Sequence, residues 1–418
     1  MPTPDEIAGQ LYRKTTKGIK LGLERVRRAA TLIDDPQTAY ASVHVAGTNG
    51  KGSTCAFIES VMRTHGAKTG LFTSPHLVRF EERFIIGGKP VSGAQWMRVY
   101  NDIAGVIETS QLTFFEAITL IAFELFKREK VEWAIIETGM GGRLDATNIV
   151  IPRVTAITSL GLDHMQYLGN DLVSIAREKL GIVKRRVPLV IARPTQSDVE
   201  AVVQRQCDAM EAPCTLVAVD DAIDLGTSDE VTSFSIGGRT LTTSLLGEYQ
   251  IQNALVALKT LEYAGFNDAA KTADGIARTT VPGRFQIVDM DGRLIVFDVG
   301  HNPAAAEAFV TALMRRFTAM PMCMVVGIMK DKDLAGVLRQ YCFAATRLIL
   351  TKPNIERAAD CKALLSKVPS DFPGKCHSIP TVSEAVQSAL TGEEKIVCIA
   401  GSFYTVGEAM KAIGIEPY

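Results

Sequence analysis

The sequence contains no apolar run long enough to span a membrane and no excess of basic residues. Its 418 residues include 45 Lys and Arg against 46 Asp and Glu, so the formal net charge is -1. A membrane-spanning helix needs about 18 consecutive apolar residues, and a nucleic-acid-binding surface needs a basic patch. The first ten residues are polar and acidic, which does not indicate a signal peptide. We therefore expect a cytoplasmic protein that binds neither membranes nor nucleic acids.

Closely spaced cysteine pairs are also absent. The chain has eight cysteines, none in a Cys-x-x-Cys pair, and several lie within apolar runs. This pattern gives no zinc-ligand spacing and is typical of buried, reduced thiols.

Apolar residues make up 47% of the chain, and along most of it their spacing alternates between strand-like and helix-like patterns. From about residue 40, short β-branched runs, including 42–45, 133–137 and 154–158, alternate with helical patterns, which predicts a mostly parallel sheet covered on both faces. Residues 213–245 alternate Val and Thr around Gly237 and Gly238, which predicts hairpins at the edge of this first domain. Pro282 and Gly283 then break the pattern before a second alternating region.

These patterns predict an α/β protein of two domains. Residues 1–283 would form a P-loop-containing, doubly wound, mostly parallel sheet domain, and residues 284–418 a smaller Rossmann-like α/β domain.

The strongest local motif is a glycine-rich segment between a predicted strand and a predicted helix. It reads His44-Val45-Ala46-Gly47-Thr48-Asn49-Gly50-Lys51-Gly52-Ser53-Thr54. Glycines let backbone N–H groups turn towards phosphate oxygens, and the following helix adds a favourable dipole. The spacing departs from the usual G-x-x-x-x-G-K-[ST] pattern, and a plain glycine turn is the alternative. We favour a nucleotide-binding loop in which Lys51 contacts the β- and γ-phosphates.

Three polar residues follow predicted strands and are candidate magnesium ligands: Ser74, Glu137 and His164. In α/β proteins, ligands come from the carboxyl ends of strands, and a phosphoryl-transfer site needs a divalent cation. Each residue alone also fits an ordinary structural role, so only the set beside a phosphate loop indicates a metal site.

A lysine interrupts an otherwise apolar helical face. Behind the candidate N-cap Asp171, the residues spaced as one helix face are Leu172, Ile175, Ala176, Lys179 and Val183. Burial would lower the pKa of Lys179, and a neutral amine can react with carbon dioxide to form a carbamate. The alternative is a packed stem whose ammonium reaches solvent or pairs with an acid such as Glu178.

Taken together, the motifs resemble the folylpolyglutamate synthase/dihydrofolate synthase family of the Mur ligase superfamily. The resemblance rests on the phosphate loop and on an ordered set of segments along nearly the whole chain, namely residues 20–25, 73–77, 112–116, 137–148, 162–164, 175–179, 246–253, 282–284, 298–303 and 401–404.

The resemblance implies a role for each matching residue. ATP would contact Gly47, Thr48, Asn49, Gly50, Lys51, Gly52, Ser53, Asn253, Arg284 and Asp298. Ser74, Glu137 and His164 would bind Mg²⁺, with two ions expected, and Lys179 would be carbamylated. The pterin-binding residues would be Thr113, Phe114, Phe115, Glu116, Leu144, Asp145 and Ala146. Lys51, Lys179, His164, Arg284 and His301 would form the catalytic set, with the specific role of His301 left open.

The expected activity is ATP-dependent amide ligation. Dihydropteroate or a folate would be activated as an acyl phosphate and joined to L-glutamate by a monomeric enzyme. The sequence does not say whether one or both acceptors are used. Two alternatives are a P-loop NTPase that ligates nothing and a peptidoglycan-type Mur ligase. The first leaves residues 113–116 and Lys179 unexplained, and the folate-type segments speak against the second.

Overall fold

The computed structural model describes residues 3–14, 22–228, 230–318 and 320–418. Lys20 and Leu21, which carry part of the family resemblance, lie outside the described residues. The chain folds into two compact units, one of residues 1–222 and 252–279 and the other of residues 223–251 and 280–418. Among the described residues, no helix is both long and apolar enough to cross a membrane.

The first unit contains an eight-stranded sheet. Its strands are β1 (Ala41–Ala46), β2 (Thr69–Phe72), β3 (Phe84–Ile86), β4 (Lys89–Pro90), β5 (Trp133–Glu137), β6 (Val154–Ile157), β7 (Leu189–Ala192) and β8 (Cys214–Val217). Their order across the sheet is β4-β3-β2-β5-β1-β6-β7-β8. All neighbours pair in parallel except the antiparallel β2–β3–β4 edge. The predicted strands β1, β5 and β6 are confirmed, and β1 lies between the other two.

The helices of this unit cover the sheet. They are α1 (Pro4–Arg13), α2 (Glu24–Thr31), α3 (Lys51–Thr64), α4 (Gly93–Thr109), α5 (Phe114–Arg128), α6 (Met165–Leu168), α7 (Leu172–Leu180), α8 (Ser197–Ala209), α9 (Tyr249–Ala264, whose first three residues group with the second unit) and α10 (Ala269–Ala277). One apolar core forms around α4 and α5, and a second around α7, α8 and β7. Because β5, β1 and β6 are parallel neighbours in the sheet, their carboxyl ends lie side by side.

A separate three-stranded antiparallel sheet confirms part of the hairpin prediction. It consists of β9 (Ile223–Thr227), β10 (Thr232–Ile236) and β11 (Arg239–Thr243), with Gly237 and Gly238 in the turn between the last two. This sheet belongs to the second unit and not to the edge of the first. For residues 214–217 the hairpin prediction is wrong, because β8 pairs in parallel with β7. A four-residue run carries no information about its partner, which the preceding crossover helix α8 determines.

The second unit contains a six-stranded sheet in the order β12-β13-β17-β14-β15-β16. The strands are β12 (Gln286–Met290), β13 (Arg293–Asp298), β14 (Met322–Val326), β15 (Arg347–Leu350), β16 (Lys375–Ser378) and β17 (Ile396–Ala400). The helices are α11 (Pro303–Arg316), α12 (Leu334–Ala344), α13 (Cys361–Leu365), α14 (Val382–Leu390) and α15 (Phe403–Ala412). Only β12 is antiparallel to its neighbour. The predicted Rossmann-like arrangement of this part is confirmed.

Candidate active site

The glycine-rich loop joins β1 to α3 and requires glycine at two positions. Gly47 has φ 153° and Gly50, the N-cap of α3, has φ 86°. A β-carbon at Gly47 would overlap the Thr158 hydroxyl oxygen, and one at Gly50 would overlap Oδ1 of Asn253. Both substitutions would clash with atoms of the packed unit. The loop therefore curls tightly over the end of β1, with the predicted nucleotide contact Asn253 against it.

Hydrogen bonds attach the same loop to the segment that follows β6. The Thr48 hydroxyl accepts from the N–H of Gly161 and donates to its carbonyl, both at 3.0 Å. The Asn49 carbonyl accepts from the hydroxyls of Thr158 at 2.6 Å and Ser159 at 3.2 Å. These four hydrogen bonds hold the loop against the segment that follows β6.

Two lysine ammonium groups converge on one carbonyl of the loop. Lys51 donates to the Gly47 carbonyl at 3.2 Å and to that of Thr48 at 3.3 Å. Lys179, predicted on an apolar helical face, is indeed buried on α7 behind the N-cap Asp171 and donates to the Gly47 carbonyl at 2.7 Å. Burial, followed by the charge of Lys51, lowers the pKa of Lys179 to about 7. A pKa near 7 leaves part of the Lys179 amine neutral at physiological pH, and its carbamylation stays a prediction.

Glu137 ends β5 beside this loop. Oε2 of Glu137 accepts hydrogen bonds from the Thr73 hydroxyl and, at 3.2 Å, from the Ser74 N–H. A β-carbon at Gly52 would lie 3.9 Å from both the same Oε2 and the Thr73 hydroxyl oxygen. The structure thus brings Glu137, Ser74 and the loop together. Sequence reasoning missed Thr73, although its position directly before Ser74 in the matching segment could have indicated it.

The donor atoms around Glu137 suit magnesium. Mg²⁺ is usually held by one or two carboxylates, phosphate oxygens and waters, and Glu137 supplies a buried carboxylate flanked by hydroxyl-bearing residues. In the described ranges no group of three or more His, Cys, Asp and Glu side chains forms a ready metal cluster. A single carboxylate with neighbouring hydroxyl groups, beside a loop of the phosphate-binding type, fits an ion that would share its ligands with a nucleotide.

His164 lies on the loop that follows β6, three residues after Gly161. It is the left-handed N-cap of α6, with φ 50°, and its backbone N–H donates to Asp163 at 2.8 Å. Asp163 in turn acts electrostatically on Lys179, raising its pKa against the effect of burial. His164 is therefore on the segment that contacts the phosphate loop, and its role as a ligand stays a prediction.

Asp145 is buried at the start of a short 3-10 helix, between the half-buried Leu144 and the buried Ala146. Oδ1 of Asp145 accepts from the N–H of Thr147 at 3.1 Å and from its hydroxyl at 2.5 Å, and Oδ2 accepts from the Met140 N–H at 2.9 Å. Burial raises the pKa of Asp145, against the effect of these hydrogen bonds. The backbone of Gly139 also acts as a hydrogen-bond donor to this carboxylate and lowers its pKa.

Thr113 and Glu116 have a structural explanation. They form a capping box at the start of α5, in which the Thr113 hydroxyl accepts from the Glu116 N–H and Glu116 accepts from the Thr113 N–H. Arg25 forms a 2.9 Å ion pair with Glu116. These contacts stabilise the helix start, and substrate binding by the two residues stays a prediction.

The two phenylalanines differ in their surroundings, as predicted. Phe114 belongs to the apolar core and stacks on Tyr12 with a centroid distance of 4.5 Å. Phe115 is partly buried, and its ring is so close to Gly139 that a β-carbon there would lie 2.5 Å from it. Gly139 precedes Met140, the residue that hydrogen-bonds Asp145. Phe115 and Asp145 therefore contact the same turn.

Two of the three predicted residues of the second unit, Arg284 and His301, lie near one aromatic ring. The Arg284 guanidinium lies 5.3 Å from the Phe403 ring centroid, and the His301 ring lies 6.4 Å from it. Asp298 is buried and accepts from the N–H groups of Phe285 at 3.1 Å and Gly300 at 2.7 Å. Burial raises the pKa of Asp298, while Arg284 acts in the opposite direction.

Comparison with known proteins identifies both parts of the chain. Residues 45–261 match the Mur ligase middle domain, and residues 283–403 match the domain described as "Mur ligase, glutamate ligase domain". Dihydrofolate synthase/folylpolyglutamate synthase of Escherichia coli is 36% identical over 405 residues, covering 95% of this chain and 92% of the relative.

Solved structures agree. E. coli FolC in complex with DHPP and ADP superposes with a TM-score of 0.86 at 31% identity, covering 99% of this chain and 98% of that one. A bifunctional folylpolyglutamate synthase/dihydrofolate synthase with Mn, AMPPNP and L-glutamate bound gives 0.84 at 32% identity, covering 99% and 100%. The fold and phosphate loop thus define an enzyme of the Mur ligase superfamily. Within it, the chain belongs to the dihydrofolate synthase/folylpolyglutamate synthase family of ligases.

Proposed function

We propose that the enzyme is a bifunctional ligase that joins L-glutamate to dihydropteroate and to reduced folates, using ATP and releasing ADP and phosphate. The observation that carries the proposal is the convergence of Lys51, Lys179 and the Glu137 carboxylate on one glycine loop. A loop of this kind suits a triphosphate. The family to which the chain belongs indicates dihydropteroate and folates as the substrates that receive glutamate. The related structures with DHPP, Mn, AMPPNP and L-glutamate support the same set of ligands.

The reaction has two steps. A carboxylate oxygen of the pterin substrate attacks the γ-phosphorus of ATP, the bond to the bridging oxygen breaks, and ADP leaves. The glutamate amine then attacks the acyl carbon, phosphate leaves and the amine loses a proton. The protein contributes position and charge neutralisation. Lys51 and residues 47–53 hold the phosphates, while Lys179 holds the loop or, once carbamylated, carries a negative charge beside it.

We assign the divalent ions to Glu137, Ser74 and His164, with two ions in the full site. A bound Mg²⁺ neutralises developing phosphate charge. The proximity of Glu137 to Gly52 supports the assignment, and the structures of relatives with bound Mn support a divalent cation.

For the pterin we assign Asp145 to the amino-pyrimidine edge and Phe115 to the ring face. Their shared contact with residues 139–140 supports this pairing. Thr113, Phe114, Glu116, Leu144 and Ala146 complete the assigned segment.

We assign separate functions to the two parts of the chain that meet at residues 283 and 284. Residues 1–283 would bind nucleotide phosphates and pterin, and residues 284–418 would add Arg284, Asp298 and His301. Asn253 with Arg284 and Asp298 would contact the nucleotide. A monomeric state and a cytoplasmic location remain predictions.

The decisive experiment measures phosphate release with dihydropteroate, tetrahydrofolate or a muramyl nucleotide, each with and without L-glutamate. We expect phosphate release with dihydropteroate and with tetrahydrofolate, in each case only when L-glutamate is also present. Hydrolysis independent of any acceptor would favour a non-ligating NTPase, and turnover of the muramyl nucleotide alone would favour a peptidoglycan-type ligase.

A further inference from the structure

A chain of buried hydrogen bonds runs from the centre of the large sheet to Asp145. Nε2 of His44, on β1, lies 2.8 Å from the Thr147 hydroxyl oxygen, and this hydroxyl lies 2.5 Å from Oδ1 of Asp145. His44 and Thr147 are fully buried and Asp145 is 7% exposed. Nothing in the activity described so far uses His44 or Thr147.

The number of available protons determines which group donates in each of these hydrogen bonds. A threonine hydroxyl has one proton, and an ionised carboxylate only accepts. Thr147 therefore donates to Asp145 and must accept from His44, which requires the proton of the neutral imidazole on Nε2. Burial, followed by the charge of Lys184, lowers the pKa of His44 to about 3, so the ring carries only one proton.

The opposite direction would be less favourable. If Asp145 were protonated and donated to Thr147, the hydroxyl would donate to Nε2 of His44, and the imidazole proton would sit on Nδ1. Nδ1 of His44 is buried without a hydrogen-bond partner. An unpaired buried N–H donor costs more than an unpaired acceptor position on a ring nitrogen. The arrangement therefore favours ionised Asp145.

The chain also fixes the orientation of the carboxylate. The Thr147 hydroxyl and N–H hold Oδ1, and the Met140 N–H holds Oδ2 beside the turn that the Phe115 ring contacts. With Oδ1 held by two donors from one residue, rotation of the carboxylate would break both bonds. The carboxylate of Asp145 is thus held in one orientation beside that turn.

We propose that His44 is a positioning residue that acts through Thr147 to hold Asp145 ionised and correctly oriented for the amino-pyrimidine edge of the pterin. The proposal rests on the proposed function, in which Asp145 binds that edge. The competing explanation is that the chain only stabilises the loop that contains residues 138–148.

Steady-state kinetics separate the two explanations. Thr147→Val removes the hydroxyl at nearly constant volume. His44→Leu removes the imidazole N–H that donates to this hydroxyl. Thr147→Val should raise KM for dihydropteroate about tenfold or more, because a hydrogen bond to a charged group is lost. His44→Leu should raise it by a smaller factor, because it removes only the neutral donor to Thr147. KM for ATP should stay within about twofold in both variants. The double variant should be no worse than the more severe single variant, because both changes act on one carboxylate.

Two further variants make the test specific. Thr147→Ser retains the hydroxyl and should restore KM for dihydropteroate to within about threefold of the wild-type value. Thr351→Val is the matched control, since Thr351 is equally buried in the second unit and its hydroxyl has no hydrogen-bond partner. It should leave both KM values unchanged. Equal increases of the two KM values, or no increase for dihydropteroate, would overturn the positioning role.

Nitrogen-15 NMR tests the chain without substrate. The protein has six histidines, and His44→Leu identifies the signal of interest. We expect the Nε2–H tautomer in the wild type and a shift of that signal in Thr147→Val, whereas an Nδ1–H tautomer would overturn the inference. Wild-type enzyme that ligates no glutamate to dihydropteroate would instead overturn the proposed function and the role assigned to the chain.

Discussion

The two units each contain a loop that leads from a parallel strand into a helix, and the two loops are held by opposite charges. Residues 47–53 follow β1, and the ammonium groups of Lys51 and Lys179 hold the Gly47 carbonyl. Residues 299–302 follow β13, and the buried carboxylate of Asp298, the last residue of that strand, accepts hydrogen bonds from backbone N–H groups, including that of Gly300. In the unmodified protein the first loop is held by the Lys51 cation and the partly neutral Lys179, whereas the second is held by a carboxylate.

This difference predicts what each loop can bind. A cation-held loop before a helix N-terminus attracts phosphate oxygens. An anion-held loop cannot bind phosphate in the same way, and its buried carboxylate suits hydroxyl or amine donors. Mutations that remove charge should therefore have large catalytic effects in the first loop, while changes to the helix cap that ends the second loop should mainly affect stability.

The largest effect is expected for Lys51→Ala. Removing this charge should lower kcat/KM for ligation by at least about 10²–10³, because the phosphate loses a positioned cation. Thermal unfolding should stay close to wild type, since Lys51 is only partly buried. Lys68→Ala, at an exposed position after α3, is the matched control. A folded Lys51→Ala enzyme with near-normal turnover would contradict the assignment of the loop.

The next largest effect concerns the carboxylate beside the same loop. Glu137→Gln keeps the side-chain size but removes the charge, so the Mg²⁺ concentration for half-maximal activity should rise by about tenfold or more. Titration of activity with Mg²⁺ and Mn²⁺ measures it. The exposed Glu262→Gln variant controls for loss of negative charge elsewhere in the unit. An unchanged metal requirement would remove Glu137 from the ligand set.

Lys179 connects charge to pH. If carbon dioxide converts the neutral amine to a carbamate with release of a proton, activity at limiting bicarbonate should rise as the pH increases through about 7 and fall below it. The free energy of unfolding should also increase with pH if Lys179 is unmodified. Its pKa in the folded state lies below the unfolded value of 10.5, so the cost of burying a charged lysine decreases as the pH rises above about 7.

Chemical rescue tests the carbamate directly. Lys179→Ala should lose most activity, and short carboxylates such as acetate should restore part of it. Lys184→Ala is a useful control, because burial also lowers the pKa of Lys184, to about 8, but this lysine hydrogen-bonds Asn148 instead of the phosphate loop. Equal rescue of both variants would reject carbamylation. It would also be rejected if acetate did not rescue Lys179→Ala and wild-type crystals grown with bicarbonate and nucleotide showed density for an unmodified Lys179 amine.

A selective effect on one substrate is expected for Asp145→Ala. It should raise KM for dihydropteroate by about tenfold or more and KM for ATP much less, because a hydrogen-bonded charge at the pterin edge is lost. Asp268→Ala controls for loss of a helix cap, since Asp268 caps α10 at the surface. Parallel increases in both constants would indicate a structural role for Asp145.

Local features of the site were predictable from sequence, whereas contacts between distant segments were not. Glycine spacing around Lys51 predicts the loop because a tight turn imposes its constraint within a few residues. The 3.6-residue period likewise predicts the burial of Lys179. The acceptor of Lys179 is the Gly47 carbonyl, 132 positions away, and the partner of His44 is Thr147, 103 positions away. Both depend on β1 lying between β5 and β6, which no local pattern specifies.

The smallest effect is expected where the second loop enters α11. Asn302 is buried as the N-cap of this helix, and its side chain accepts from the Ala305 N–H at 2.9 Å. Asn302→Ala should lower the free energy of unfolding by about 1 kcal/mol, measured by urea denaturation, and change KM for ATP by less than about twofold. Asn302→Asp retains an acceptor oxygen and should preserve the stability. If Asn302→Ala unfolds like the wild type but loses ligation, this loop, like the first, would act directly on the substrate.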